Sequence, residues 1–359
     1  MRWSRQRLPN LEIKRLFNSM KYILILLTLS TISLQAFDSL IDHEKLNATE
    51  ILLEKEPAQK TVFEKKVSHK VQKNEVSIND TTLLSPFTSP LKLKKILNHQ
   101  NTIILDVDDI NIYKKGHIIG AIHVDVSSYI TKEQNPYKLM KPESSIKNKI
   151  IDLGINKDSK VVIYSHNTKK GILNSSYLAF VLITFGFENV SILDGGYMAW
   201  VFENERLVSS KRSKSKDDGN FLPQKNHNVI ASQKYILDNL SNITMLDARE
   251  AKYYYGTHKS KKIKEFGHIS GAKSSYYGDK FLIDSTLRKK NELNDIYYKG
   301  HKLKQNDNIV VYADNVFKAS MEWYVLYKVM RFQNTKIYEA SLLEYFNEKN
   351  NPKSRFIWE

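Results

Sequence analysis

A pattern that occurs twice along the chain limits its fold more than any other feature. Each copy has a leucine-aspartate pair at the end of an apolar run, then Gly-His-Ile, one residue, and Gly-Ala. The copies lie at Leu105-Asp106, Gly116-His117-Ile118 and Gly120-Ala121, and at Leu246-Asp247, Gly267-His268-Ile269 and Gly271-Ala272. A chain of 359 residues has room for two domains, so the repeat indicates an internal duplication.

The apolar runs in each copy are short and rich in β-branched residues, and they alternate with helix-forming segments. The expected strands are 102–107, 161–164 and 190–193 in the first copy, and 243–248, 309–312 and 336–338 in the second. Ser89-Pro90 opens the first helix with an N-cap serine and a proline at the first helical position. This alternation predicts an α/β fold in which each half is a mostly parallel sheet with helices on both faces.

Two polar stretches divide the chain. Residues 37–85 are rich in lysine and glutamate without a sustained period, which predicts a polar linker. Residues 209–220 contain no apolar residue and are followed by Pro223, so we expect a second linker at 208–226. The remaining blocks, 86–207 and 227–359, each have the size of a domain.

The first 36 residues have the layout of a secretory signal. Basic residues up to Lys21 precede an apolar run at 22–34, and Ala36 is a small residue before the expected cut. The run is shorter than the ~20 apolar residues of a spanning helix. An uncleaved N-terminal membrane anchor is the second interpretation, and Met20 is an alternative start. Both interpretations place the rest of the chain outside the cytoplasm, in a periplasmic or other extracytoplasmic location.

The composition excludes several classes of function. The formal net charge is +16, but lysine is spread along the whole chain and no motif of a nucleic-acid-binding module is present, which predicts a solvated surface. Attachment to a membrane or a polyanion is an interpretation from charge alone. The chain has no P-loop, no dinucleotide fingerprint and no metal-ligand spacing, so we expect no cofactor and no metal. It contains no cysteine, which excludes disulfides and a thiolate nucleophile.

The repeated motifs resemble the tandem-domain thiosulfate/3-mercaptopyruvate sulfurtransferases, whose two domains are rhodanese-like. The resemblance extends to Asp194-Gly195-Gly196 and Trp200 in the first half, and to Tyr338, Ser341 and Glu344-Tyr345 in the second. It covers both halves in the same order. The resemblance therefore implies two rhodanese-like domains and an ancestry in sulfur transfer.

In that family the chemistry lies in the loop after the strand that here reads 309–312. A cysteine thiolate attacks sulfane sulfur and carries it as a persulfide, and amides of the loop and the following helix stabilise the negative charge. Ala313 occupies the position of that cysteine in this sequence. Val316 stands where the family places glycine, and Asp314 adds a negative charge where an anion would bind.

Several other residues are candidates for contacts with an anion. Arg249 stands where the family keeps an arginine that contacts the anionic substrate. Asn315 and Lys318 are further candidates, in the segment that follows Ala313. The alternative for Arg249 is a salt bridge with Glu250 or Glu265.

The corresponding loop of the first half begins at Ser165. His166 with Lys169 and Lys170, which lie before a helix, could hold an anion, and Ser165 is a further candidate contact. A solvated loop is the alternative. A hydrolase is disfavoured because no Gly-x-Ser-x-Gly elbow surrounds the serine. We expect His117 and His268 to be hydrogen-bonded core residues.

These observations predict an exported rhodanese-like protein that is inactive in persulfide transfer. It is expected to bind a small sulfur-containing anion or a partner protein. The alternative is a sulfurtransferase-type enzyme, acting on thiosulfate or 3-mercaptopyruvate, that relies on an external thiol.

Overall fold

Two five-stranded sheets form the framework of the protein. The computed structural model describes residues 83–359, apart from 132–136, 138, 167, 205–206, 214–217 and 349. The described residues lie in one compact unit, 76–359. The expected signal at 1–36 and nearly all of the expected linker at 37–85 lie outside the described residues and stay predictions.

The first sheet has the strand order β1-β6-β5-β2-β4, and all of its neighbouring strands are parallel. A separate antiparallel pair joins β3 to β7. The strands of the first half are β1 Phe87–Thr88, β2 Thr102–Asp106, β3 His117–Ile118, β4 Ile122–His123, β5 Lys160–Tyr164, β6 Val190–Leu193 and β7 Val208–Ser209.

The second sheet repeats this plan with the order β11-β9-β12-β13-β8, again parallel throughout. A second antiparallel pair joins β10 to β14. The strands are β8 Ile230–Ala231, β9 Thr244–Asp247, β10 His268–Ile269, β11 Lys273–Ser274, β12 Ile309–Tyr312, β13 Thr335–Tyr338 and β14 Lys353–Ser354. The predicted pair of parallel α/β sheets is confirmed.

Helices connect the strands. They are α1 Pro90–Ile96, α2 Ile110–Lys115, α3 Glu143–Asp152, α4 Lys169–Thr184, α5 Gly196–Asn204, α6 Gln233–Asn239, α7 Ala251–Tyr255, α8 Lys290–Asn294, α9 Val316–Tyr324 and α10 Ser341–Tyr345. Short π-helical segments continue α8 and α9, at Asp295–Gly300 and Val325–Val329. In the part of the chain that the structure covers, no helix combines the length and apolar character needed to cross a membrane.

The alternation of side chains along the strands explains why helices cover both faces. On β2, Ile104 packs into one apolar cluster and Leu105 into another, and Val162 and Ile163 of β5 separate in the same way. Successive residues of a strand point to opposite faces of the sheet. Both faces of the first sheet are therefore apolar, and each needs its own layer of helices.

The two halves share one of these apolar clusters. Helix α4 of the first half packs against α9 of the second, with the hydroxyl oxygens of Ser176 and Ser320 2.9 Å apart. The rings of Phe180 and Trp323 meet edge to face, 5.1 Å between centroids. A fully buried aromatic side chain contributes about 1.5–3 kcal/mol. The halves are therefore joined by a common core.

The polar segment predicted as a linker at 208–226 is bound to the first half through its backbone. Its first residues form β7, and the N–H groups of Gly219 and Phe221 donate to the carbonyls of Ile151 and Ile155, at 3.1 Å each. The N–H of Gln224 donates to the carbonyl of Phe185 at 3.0 Å. This segment lacks apolar side chains, yet it is attached to the first half, because its backbone groups make the contacts.

A buried carboxylate lies where the two halves meet. Glu339 follows β13 and accepts a hydrogen bond from the backbone N–H of Met140, which belongs to the first half. Burial raises the pKa of Glu339 to about 7, although the Met140 amide and the charge of Lys225 act in the opposite direction. The carboxyl therefore changes charge near neutral pH.

We expect Glu339 to make the protein less stable as the pH rises through this range. The unfolded chain loses the proton near the usual pKa of 4.5 and the folded chain near 7, so stability falls between these values and the loss is complete above them. Glu339→Gln should hardly change the free energy of unfolding at pH 4, and should raise it by about 3 kcal/mol at pH 8.5. Urea unfolding at the two pH values measures the difference.

Glu203 provides the control, because its side chain is exposed on α5. Glu203→Gln should change the free energy of unfolding by less than ~0.5 kcal/mol at both pH values. Equal effects of Glu339→Gln at pH 4 and pH 8.5 would contradict the assignment.

Candidate functional site

The loop that follows β12 is fixed at its first residue. Ala313 is completely buried, its N–H donates to the hydroxyl of Ser341 at 3.2 Å, and its carbonyl accepts from the N–H of Leu342 at 3.1 Å. Ser341 itself has a φ of 53°, in the left-handed region that non-glycine residues rarely adopt. An apolar residue, Ala313, therefore occupies the position at which the family has its nucleophile. Hydrogen bonds to the start of α10 fix this residue at the end of β12.

The rest of the loop is a capped helix start. Asn315 is the N-cap of α9, and its side chain accepts a hydrogen bond from the N–H of Phe317 at 3.1 Å. Val316 is the first helical residue and is completely buried. An N–H group at the start of a helix is a typical donor to a bound anion. Here the Phe317 donor is already bound by the side chain of Asn315.

The guanidinium of Arg249 is buried and bound within the protein. Its Nε donates to the two carboxylate oxygens of Asp247 at 2.9 and 3.1 Å, and its Nη2 donates to Asp247 Oδ2 at 2.6 Å. Nη2 also donates to the carbonyl of Gly267 at 2.7 Å. Burial acts to lower the pKa of Arg249, but the adjacent Asp247 carboxylate outweighs it and the pKa is raised.

The predicted alternative partners of Arg249 are wrong. Glu250 pairs with Lys252 at 3.2 Å, and Glu265 lies 3.9 Å from Lys353. Sequence proximity suggested these glutamates, but the Arg249 guanidinium turns back to Asp247, the last residue of β9. The role of Arg249 as an anion contact stays a prediction.

Asp314 connects the predicted residues of this loop. Its Oδ1 lies 3.7 Å from Arg249 Nη1, and its Oδ2 lies 3.1 Å from the ammonium of Lys318. Asp314 thus links Arg249 to Lys318, and Asn315 is the next residue of the same loop. The two cations face two carboxylates, of Asp247 and Asp314, so the site is electrically balanced by its own side chains.

The corresponding loop of the first half is separate from this group. Ser165 is buried, and its carbonyl accepts from the N–H of Tyr197 at 2.8 Å. Ser165 also lines a small cavity that includes Phe281 and Met321 of the second half. Lys169 is the first residue of α4, and its side chain lies outside the described residues.

His166 contacts the carboxylate of Asp108. The two predictions for this loop, an anion contact and a solvated loop, do not include such a contact. Its Nδ1 lies 2.9 Å from Asp108 Oδ2, and its Nε2 lies 2.9 Å from the carbonyl of Gly116. Burial acts to lower the pKa of His166, but Asp108 and Asp106 raise it overall. The sequence motifs do not identify Asp108 as a candidate. Alignment of the two copies does, because Asp108 and Arg249 both stand two residues after the repeated aspartate.

The repeated histidines have the same kind of tyrosine neighbour in both halves. His117 stacks on Tyr113 and His268 on Tyr254, with 3.8 Å between ring centroids in each pair. In each pair the histidine Nδ1 lies 2.8 Å from the backbone carbonyl of the tyrosine. The prediction that both histidines are hydrogen-bonded core residues is confirmed.

The rhodanese-like domain family matches residues 89–203 of this chain. Residues 89–203 therefore form a rhodanese-like domain. Among the curated relatives, the sulfur carrier protein TtuD of Thermus thermophilus is 28% identical over 269 residues, which cover 68% of this chain and 87% of that protein. A putative thiosulfate sulfurtransferase of Synechococcus elongatus is 24% identical over 282 residues, covering 72% and 82%.

Solved structures show the same rhodanese-like fold across both halves. The crystal structure of YnjE has a TM-score of 0.66 and 18% identity, and the match covers 75% of this chain and 68% of that one. The anaerobic ergothioneine biosynthesis enzyme from Chlorobium limicola has a TM-score of 0.64 and 18% identity, with coverage of 76% and 70%. At this identity the likeness establishes the fold alone. The predicted pair of rhodanese-like domains is confirmed.

Proposed function

We propose that this chain is an exported rhodanese-like protein that does not transfer sulfur through a persulfide and acts by binding. The observation that carries the proposal is Ala313, a buried alanine at the start of the β12–α9 loop of a chain without cysteine. A persulfide forms on a thiolate. A methionine thioether has no ionisable S–H, and a serine hydroxyl does not carry sulfur reversibly.

The surroundings of Ala313 support binding of a partner protein rather than of an anion in this loop. The carboxylate of Asp314 repels a sulfur oxyanion, and the guanidinium of Arg249 is occupied by Asp247 and Gly267. Removal of one partner from a buried ion pair costs about 3–5 kcal/mol. A small anion that recruits Arg249 has to overcome a cost of that size.

The alternative is a sulfurtransferase-type enzyme that uses an external thiol. Arg249 favours it, because the arginine stands where the resemblance places a substrate contact. The internal ion pairs of Arg249 weigh against it, so we retain binding as the principal proposal. The names of the relatives, a sulfur carrier and putative thiosulfate sulfurtransferases, describe those proteins.

We expect the native protein to show no transfer of sulfur from thiosulfate to cyanide above a protein-free blank. Ala313→Cys should also be inactive, because the Asp314 carboxylate disfavours both the thiolate and the anionic donor. Ala313→Cys combined with Asp314→Asn should give at least ~10-fold more turnover than Ala313→Cys alone, since Asp314→Asn removes that charge at constant side-chain size. Thiocyanate formation measures all three proteins.

Ala313→Ser combined with Asp314→Asn is the matched control, because it alters the same positions without a thiol. Clear turnover by the native protein refutes the proposal. Clear turnover by Ala313→Cys that Asp314→Asn does not increase shows instead that the loop still accepts anions.

The proposed export depends on the apolar run at 22–34. We expect residues 1–36 to carry a fused alkaline phosphatase to the periplasm of a bacterial host, where that reporter becomes active. Leu26→Arg should abolish the activity, because a charge in the run opposes insertion. Gln35→Arg, outside the run, is the control for added charge. Mass spectrometry of the exported chain then separates a cleaved signal, with Phe37 first, from an uncleaved anchor.

A further inference from the structure

A buried carboxylate in the first half lacks the cation that its counterpart in the second half has. In the second half, Arg249 places its guanidinium against Asp247. The duplication puts Asp106 in the place of Asp247 and Asp108 in the place of Arg249, and in both halves the residue two positions later donates its N–H to the aspartate at 3.0 Å. The first half therefore has a second carboxylate where the second half has a cation.

The position of His166 defines where a cation would bind. Its Nδ1 lies 2.9 Å from Asp108 Oδ2 and 3.8 Å from Asp106 Oδ2. The three ligand atoms all lie within 4.8 Å of one another. Metal–ligand bonds of 2.0–2.2 Å in a tetrahedral arrangement separate neighbouring ligand atoms by about 3.4 Å. The cluster is thus close to the size that such an ion requires.

Asp106 supplies the independent observation that points to a ligand. The residue is completely buried, and within the described part of the chain no donor lies within hydrogen-bonding geometry of its Oδ2. The hydroxyl of Tyr164 also lies close to this carboxylate. A buried carboxylate oxygen that faces a histidine nitrogen without a hydrogen bond is costly unless a positive charge lies nearby.

The hydrogen bonds around the cluster orient all three side chains. His166 Nε2 lies 2.9 Å from the carbonyl of Gly116, and a carbonyl only accepts, so Nε2 carries the hydrogen and the Nδ1 of a neutral ring turns its lone pair towards the carboxylates. The hydroxyl of Thr168 donates to Asp108 Oδ1 at 3.2 Å. A Cβ at position 171 would lie 2.5 Å from Asp108 Oδ1, so Gly171 leaves the room that this carboxylate needs.

We propose that Asp106, Asp108 and His166 bind a divalent first-row transition-metal ion of the Zn²⁺ class. One imidazole nitrogen with two carboxylates suits Zn²⁺ better than Mg²⁺ or Ca²⁺, which prefer oxygen ligands only. Three protein ligands leave a coordination position for water or a small ligand. The His166 side chain is 13% exposed, so one edge of the cluster reaches solvent.

The sequence alone does not indicate this site, because Asp106-x-Asp108 and His166 are far apart in the chain and have no familiar ligand spacing. The site is independent of the proposed function, which rests on the loop after β12. A metal in the first half can exist whether or not the second half transfers sulfur.

Calorimetric titration of the full chain with Zn²⁺, in protein without a histidine tag, tests the proposal. We expect saturable binding of one ion per chain, and an increase in the unfolding temperature with Zn²⁺. Asp106→Asn and His166→Gln should each weaken binding by at least ~10-fold. His258→Gln removes an exposed histidine outside the cluster and should bind Zn²⁺ like the native chain.

Co²⁺ provides a second readout, because a bound ion with nitrogen and oxygen ligands has a visible absorption that His166→Gln should abolish. If Asp106→Asn fails to fold, His166→Gln, at a partly exposed position, still decides the question. Absence of saturable Zn²⁺ and Co²⁺ binding by the folded native chain overturns the proposal, as does unchanged affinity in His166→Gln.

Discussion

The buried ion pair between Arg249 and Asp247 is the interaction on which the second half depends. Asp247 ends a central strand, and Arg249 extends from it to the Gly267 carbonyl and to Asp314 in the loop after β12. One guanidinium thus connects a strand end, the repeated Gly-His-Ile turn and the helix that begins at Val316. Loss of either charge leaves the other buried and unpaired, at a cost of about 3–5 kcal/mol.

This arrangement weighs against the role in substrate binding that the resemblance implies for Arg249. An arginine that contacts an anionic substrate needs donors free to face it, whereas Nε and Nη2 of Arg249 are already bound by Asp247 and Gly267. Asp314 then lies beside Nη1 at 3.7 Å. In the proposed function, Ala313 and Asp314 act in the same direction, because Ala313 provides no thiolate and the Asp314 carboxylate disfavours an anion.

The two halves use one framework with opposite charges. In the second half a cation follows the repeated aspartate and an anion lies in the loop, as Arg249 and Asp314. In the first half an anion follows the aspartate and a histidine lies in the loop, as Asp108 and His166. The same backbone contact to the repeated aspartate holds these side chains in place in both halves. A change from arginine to aspartate two residues after it therefore replaces an internally paired site by the proposed cation site.

Much of the framework follows from the sequence, and the site follows only in part. Short β-branched runs, the serine before α1 and the repeated Gly-His-Ile segments predict the strands, helix starts and duplication, because these features are local. The pairing of Arg249 with Asp314, of Asp108 with His166 and of the 208–226 backbone with the first half depends on which loops the sheets bring together. Residues distant in sequence make those contacts, and no local pattern encodes them.

The most direct test of this account is a calorimetric titration of the native protein with thiosulfate, with Arg249→Ala as the comparison. If the guanidinium is bound internally by Asp247 and Asp314, native protein should give no saturable heat, and folded Arg249→Ala protein should behave alike. Saturable binding by the native chain that Arg249→Ala abolishes, with the variant still folded, would contradict the account and restore Arg249 as a substrate contact.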